Sequence, residues 1–285
     1  MVSTARIRAS RVFFWITLLA MVFSILFPFY WMLTSSMKNL VELFGRQPIF
    51  LPSRIHLDAY RILFLELGFG RNLLNTAVVA TTTAALAIII ASLGAYAVAR
   101  LRFRGKRLLL NIILMVYLFP GVLLIIPLFA MLVQIGDTLS FEVQDNLGVL
   151  ILTYLAQTLP VALYMLSSYF RTVPEEIEES GLIDGCSRLQ VIARITFPLS
   201  VPAMVSVTIY TFMIAWNEFL YAFIFLNRRE NFTLPIKLLS ISEQLNTRWD
   251  VVMAASTVMT IPIVLLFFAF ERFLEQGLVA GGVKG

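Results

Sequence analysis

The chain has 285 residues; 59% are hydrophobic, 13% aromatic and 14% charged, the mean hydropathy is +0.86 and the net charge +5. Ordinary soluble domains carry roughly 25% charged residues. The composition therefore excludes a soluble enzyme, a disordered chain and a disulfide scaffold, and leaves an all-α integral membrane protein with small extramembrane parts.

Six apolar stretches are expected to be transmembrane helices: 12–34, 73–99, 108–133, 148–170, 199–226 and 251–270. Each is long enough for a hydrocarbon core of about 30 Å. The first follows Arg11 and could pass for a secretory signal. Its apolar run is too long for that and no small-residue cleavage site follows, so it reads as an uncleaved span. Between the second and third spans, five of the eight residues Arg100–Arg107 are basic. The positive-inside rule puts this loop in the cytoplasm. Alternation then puts both termini there, the 1–11 segment with Arg6, Arg8 and Arg11 included. The outer loops become 35–72, which holds a short interfacial helix near 58–67, then 134–147 and 227–250. Spans and loops together form one permease domain, 12–276, followed by a glycine-rich tail, 277–285.

The fourth and fifth spans are joined by a cytoplasmic loop, 172–197, that reads as two short helices around a turn. Thr172 with Glu175 fits a capping box, as does Ser187 with Gln190. Pro174 suits a first helical turn. Glu175, Glu176, Glu178 and Glu179 crowd the positive end of the first helix dipole. Asp184-Gly185 is a turn signal, and φ > 0 is expected at Gly185, where a side chain would clash. Leu189, Val191, Ile192 and Ile195 give the second helix an apolar face. Pro198 closes the loop. A capped and patterned helix pair on an otherwise minimal face points to a docking element for a cytoplasmic partner.

This loop resembles the EAA loop of bacterial ABC-importer permeases, Glu-Ala-Ala, three residues, Gly, nine residues, Ile-x-Leu-Pro. Here the pattern is Glu179-Ser180-Gly181, Gly185 and Ile195-Thr196-Phe197-Pro198. Both alanines and the leucine are replaced. Gly181 is expected to loosen the docking helix, since Gly costs about 1 kcal/mol against Ala. Ala95–Arg100 with Phe103–Lys106 looks like the second-span exit of carbohydrate permeases, and the tail Gly277–Gly285 is similar to the end of MalG-type subunits. The resemblance implies a six-span MetI/MalG-like permease fold and an ABC importer of a disaccharide or oligosaccharide in a bacterial or archaeal cytoplasmic membrane. It implies four kinds of partner: a second MalF-like permease subunit, two ATPase subunits, an extracytoplasmic sugar-binding protein and membrane lipid. It also implies ATPase-coupling contacts at Glu178, Glu179, Ser180, Gly181, Asp184, Gly185, Ile195 and Pro198, and tail contacts at Gly281, Gly282 and Lys284.

The expected absences agree. The sequence contains no Gly-x-x-x-x-Gly-Lys-Ser/Thr to cradle nucleotide phosphates. His56 and Cys186 are each the single residue of their kind, so no catalytic constellation, metal site or cofactor is expected. Nor is nucleic acid a partner.

Glu218 is the one charged residue within the six stretches. A lone intramembrane carboxylate marks a functional site by default, and with Trp216, Asn217 and Tyr221 it would suit sugar hydroxyls and ring faces. Equally, Asn217 and Glu218 would serve as interhelical glue. Asn75, Asn111, Tyr154 and Gln157 are weaker pathway candidates, since isolated amides and tyrosines in spans are usually packing contacts. Pro120, Pro127, Pro160, Pro202 and Pro262 would kink helices around a cavity or, equally, be prolines of the kind membrane helices ordinarily tolerate. A stand-alone secondary transporter or channel is the alternative; it would need more intramembrane carboxylates or a selectivity motif.

Overall fold

A computed structural model describes residues 4–243 and 247–282. The described residues are helical and contain no strand. In chain order the helices are α1 (Thr4–Ser35), α2 (Leu40–Leu43), α3 (Asp58–Arg61, extended by a π-turn to Glu66), α4 (Phe69–Arg100), α5 (Lys106–Leu118), α6 (Gly121–Leu139) and α7 (Leu147–Phe170). They continue as α8 (Glu175–Ile183), α9 (Arg188–Val191, extended by a π-turn to Thr196), α10 (Phe197–Leu199), α11 (Val201–Asn217), α12 (Leu220–Phe225), α13 (Leu234–Ser242) and α14 (Trp249–Gly282). Five helices (α1, α4, α6, α7 and α14) are long and apolar enough to cross a membrane, and α9–α10 with α11 form a sixth candidate bent by 80°.

The chain divides into two compact units, Met1–Phe69 with Leu238–Ile261, and Gly70–Lys237 with Pro262–Gly285. In the first, the Tyr60 and Ser36 hydroxyls hydrogen-bond at 2.7 Å and the Lys38 ammonium stands 4.1 Å from the Trp31 ring centre. Burial lowers the Lys38 pKa, partly offset by Glu42. α1 exposes apolar side chains all round, Phe13, Leu19 and Phe23 among them, as a helix facing lipid or another apolar helix does.

The second unit holds the main core. Ala91, Ala95 and Tyr96 of α4 meet Ala162, Leu166 and Phe170 of α7, with Ile192 and with Ala203 and Val207 of α11. The alanines on α4 let helix backbones approach closely, as small residues do in membrane bundles. Phe170 stacks on Phe197 with ring centres 6.4 Å apart, so the end of the 172–197 loop is built into this core.

Two expected spans are interrupted. The stretch 108–133 divides into α5 and α6, because Pro120 forces Phe119 into extended backbone (φ −72°, ψ 129°). The proline ring clashes with a helical predecessor. The stretch 199–226 divides into α11 and α12 at Glu218 (φ −66°, ψ 128°). α14 runs on through Gly282, carrying Gly281 and Gly282 in its last turn. Its many apolar positions propagate a helix that a glycine-rich segment could not nucleate alone. Lys284 lies outside the described residues.

Candidate functional site

The 172–197 loop is a pair of helices packed on each other. Pro174, in extended backbone (ψ 132°), precedes α8 without a side-chain cap. The expected Thr172–Glu175 capping box does not form; the Thr172 hydroxyl instead donates to the Tyr169 carbonyl at 2.7 Å. A hydroxyl this close to a helix end finds the vacant carbonyls of the preceding helix first. The second capping box does form. The Ser187 amide donates to Gln190 Oε1 at 2.8 Å, and the Gln190 amide donates to the Ser187 hydroxyl at 3.4 Å. Between the helices Gly185 has φ +88°. Nothing lies within 4 Å of where its Cβ would be, so a side chain there meets backbone strain and not the expected clash.

Glu178 points inward. It is 5% exposed. Its Oε1 accepts from Arg100 Nε at 3.1 Å and from the Thr196 hydroxyl at 3.1 Å, while Oε2 accepts from the Tyr96 hydroxyl at 3.2 Å. The Arg100 Nη2 also donates to the Val173 carbonyl at 2.6 Å. The pair thus clamps the end of α4 to α8 and to the π-turn after α9. Buried ion pairs persist only when the remaining lone pairs and donors are satisfied, and here four groups satisfy them.

Gly181 is buried beneath α8, where a Cβ would stand 2.5 Å from Ile195 Cδ1. Its lack of a side chain lets the two halves of the loop close on each other, a gain that offsets its helix penalty. Val191 and Ile192 are buried with them. Leu189 is not part of that face: it is 73% exposed, and Ile183 is 86% exposed. The outer surface therefore sets Ile183 and Leu189 among the exposed Glu179, Ser180, Asp184 and Gly185. Pro198 is exposed at the start of α10. Ile183 escapes sequence reasoning because helical periodicity assigns apolar residues to the inside.

The residues around Glu218 make a second polar site. The Glu218 carboxylate accepts the amides of Tyr221 at 2.9 Å and Ala222 at 3.2 Å. It caps α12 and so breaks the span. Asn217 is exposed, and its side chain donates to the Met213 carbonyl at 2.9 Å. Trp216 is buried and stacks on Phe212 with ring centres 5.3 Å apart. The Tyr221 hydroxyl reaches the Gly121 carbonyl at 3.3 Å, where α6 begins. A cavity of 480 Å³ lies beside it, lined by Tyr117, Phe119, Pro127, Gln157, Pro160 and Tyr221 among others. Of the four candidate pathway residues, Tyr221 alone lines it. Asn75 belongs elsewhere: its side chain binds the carbonyls of Glu230 and Phe232.

Residues 86–279 match the family described as "Binding-protein-dependent transport system inner membrane component". The chain belongs to this family. It is 41% identical over 278 residues to the inner membrane ABC transporter permease protein YcjP of Escherichia coli, covering 97% of each chain. It is 32% identical over 280 residues to the trehalose transport system permease protein SugB of Mycobacterium tuberculosis, covering 97% of this chain and 99% of that one. It is 33% identical over 268 residues to the trehalose/maltose transport system permease protein MalG of Thermococcus litoralis, covering 91% and 92%. A crystallised bacterial ABC transporter involved in import of the acidic polysaccharide alginate contains a chain of the same fold. That similarity has a TM-score of 0.81 at 22% identity, covering 96% of this permease and 99% of that chain. The permease is a multi-pass membrane protein of a binding-protein-dependent system.

Proposed function

We propose that this permease forms half of the translocation pathway of an ATP-driven importer for a disaccharide or oligosaccharide, with both termini in the cytoplasm. A second permease subunit completes the pathway, two ATPase subunits drive it, and an extracytoplasmic sugar-binding protein delivers the cargo. The observation that carries this reading is the 172–197 loop. Its outer face offers exposed apolar side chains, Ile183 and Leu189 foremost, and several acids to a partner, while its inner face is bolted to α4 by a buried ion pair. A rigid element of this kind transmits a push that a floppy loop would absorb. The sugar assignment is supported by relatives named for trehalose and maltose. It is also supported by the cavity at Tyr117, Gln157 and Tyr221, where aromatic faces stand beside an amide. Glu218 is engaged by the backbone amides of Tyr221 and Ala222, which supports a capping role for it over proton or ion binding.

The test is to purify the tagged permease in mild detergent from membranes expressing its whole gene neighbourhood, then to reconstitute it. An ATPase and a second permease are expected to co-purify, and ATP-dependent sugar uptake to require the binding protein. A chain that purifies alone and transports alone overturns the proposal.

A further inference from the structure

α4 differs from every other span-length helix. α1, α6, α7 and α14 contain Pro28, Pro127, Pro160 and Pro262, and α4 contains no proline. Its 32 residues span about 48 Å at 1.5 Å per residue, well beyond a hydrocarbon core of about 30 Å. Proline is the commonest cause of a sharp helix kink, and α4 has none; the Thr76, Thr81 and Ser92 hydroxyls bond back to the carbonyls four residues earlier without breaking the helix. Its one internal glycine between the clasped ends, Gly94, is seated against Leu163, whose Cδ1 would lie 3.0 Å from an added Cβ.

Both ends of α4 hold a loop. Tyr96 and Arg100 grip the 172–197 loop as described. At the opposite end Asn72, 2% exposed, donates to the carbonyls of Arg229 at 3.0 Å and Phe232 at 2.9 Å. One turn on, Asn75 donates to the carbonyls of Glu230 at 2.8 Å and Phe232 at 3.2 Å. The Leu234 amide donates to the Thr76 hydroxyl at 2.8 Å. Positions 72, 75 and 76 share one helix face, and all three bind the one segment 229–234.

We infer that α4 is a connecting rod that makes the 229–234 loop and the 172–197 loop one moving body, so that engagement of a partner at either end is felt at the other. The inference rests on the importer reading: the partner at one end is the binding protein, and at the other the ATPase. The displacement of a continuous, proline-free helix held at both ends is shared along its length, whereas a proline-bearing helix would absorb it locally.

The test uses the whole reconstituted complex and reads ATPase activity with and without the sugar-loaded binding protein, together with uptake. N72A/N75A should leave basal ATPase unchanged and reduce its stimulation by the binding protein at least 5-fold, the lower end of ordinary coupling between sites. R100M/E178M, which replaces both members of the buried pair and leaves only the exposed Glu175, 3.6 Å from Arg100 Nη1, without its partner, should reduce stimulation comparably. Combining the two should cost no more than either alone, since a rod released at one end has nothing left to transmit. Purely local defects would instead multiply. Normal stimulation in N72A/N75A, or multiplicative losses in the combined variant, overturns the rod. If R100M/E178M fails to assemble, Y96F with N72A/N75A runs the same cycle. Absence of ATP-driven uptake in the wild-type complex removes the importer reading and the rod with it; a working wild type with indifferent variants removes the rod alone.

Discussion

Glu178, buried, and Glu218, half-buried, are carboxylates of the same unit, and they are satisfied in opposite ways. Glu178 meets a cation and two hydroxyls from distant parts of the chain. Glu218 meets two backbone amides only three and four residues on. The first ties three elements together; the second cuts one element in two. Here the acid whose partners are side chains is a long-range fastener, and the acid whose partners are amides is a local breaker.

The sharpest way to break this contrast is to remove one cation. Arg100→Ala leaves Glu178 buried without its partner and should cost about 3–5 kcal/mol, read as a lowered unfolding midpoint of the detergent-solubilised complex. Replacing both partners with methionine should restore most of that midpoint, because well-packed apolar residues of similar volume are often neutral there. A single Arg100→Ala that melts like wild type would demote the clamp to a surface contact.

For Glu218 the expected effect is smaller. Glu218→Ala removes a helix cap worth about 1–2 kcal/mol, so the midpoint should fall and Glu218→Gln should fall less, keeping one acceptor. Uptake that drops while the midpoint holds would instead assign the carboxylate to the sugar pathway.

The least effect separates the two caps of the loop. Ser187→Ala should cost about 1 kcal/mol and speed tryptic cleavage at the exposed Arg188 and Arg194 through local opening. Thr172→Ala should stay within about 0.5 kcal/mol and leave the digest unchanged. Equal digests for the two variants would show that neither cap matters.

Hydropathy makes the membrane class legible, and the spacing from Glu179 to Pro198 makes the family legible. What stays hidden is where backbone bonds are diverted. Pro120 and Glu218 lie in uniformly apolar runs, and hydropathy counts side chains without asking where amides and carbonyls go. Pro120 still carries a readable signal in the restriction it places on Phe119. Glu218 carries none, since an acid in a span looks the same whether it faces a channel, a partner helix or its own backbone. The inward turn of Glu178 is hidden for another reason. Its cation, Arg100, is 78 residues away in sequence and sits within a basic run that topology already explains. Thr172 and Ser187 present the same capping signature, and only the neighbouring carbonyl of Tyr169 decides between them.

The clasps on α4 also set a rule for its length. Each helical residue advances the chain by about 1.5 Å and turns it by about 100°. One residue inserted between Thr76 and Tyr96 would therefore swing Arg100 away from Glu178 even as Asn72 kept its grip on Phe232. The interval from Asn72 to Arg100 should therefore resist any change in count, whereas the loop before α3, which closes no such register, should accept one more readily. Length drift among descendants of this gene should accordingly collect in that loop and spare α4.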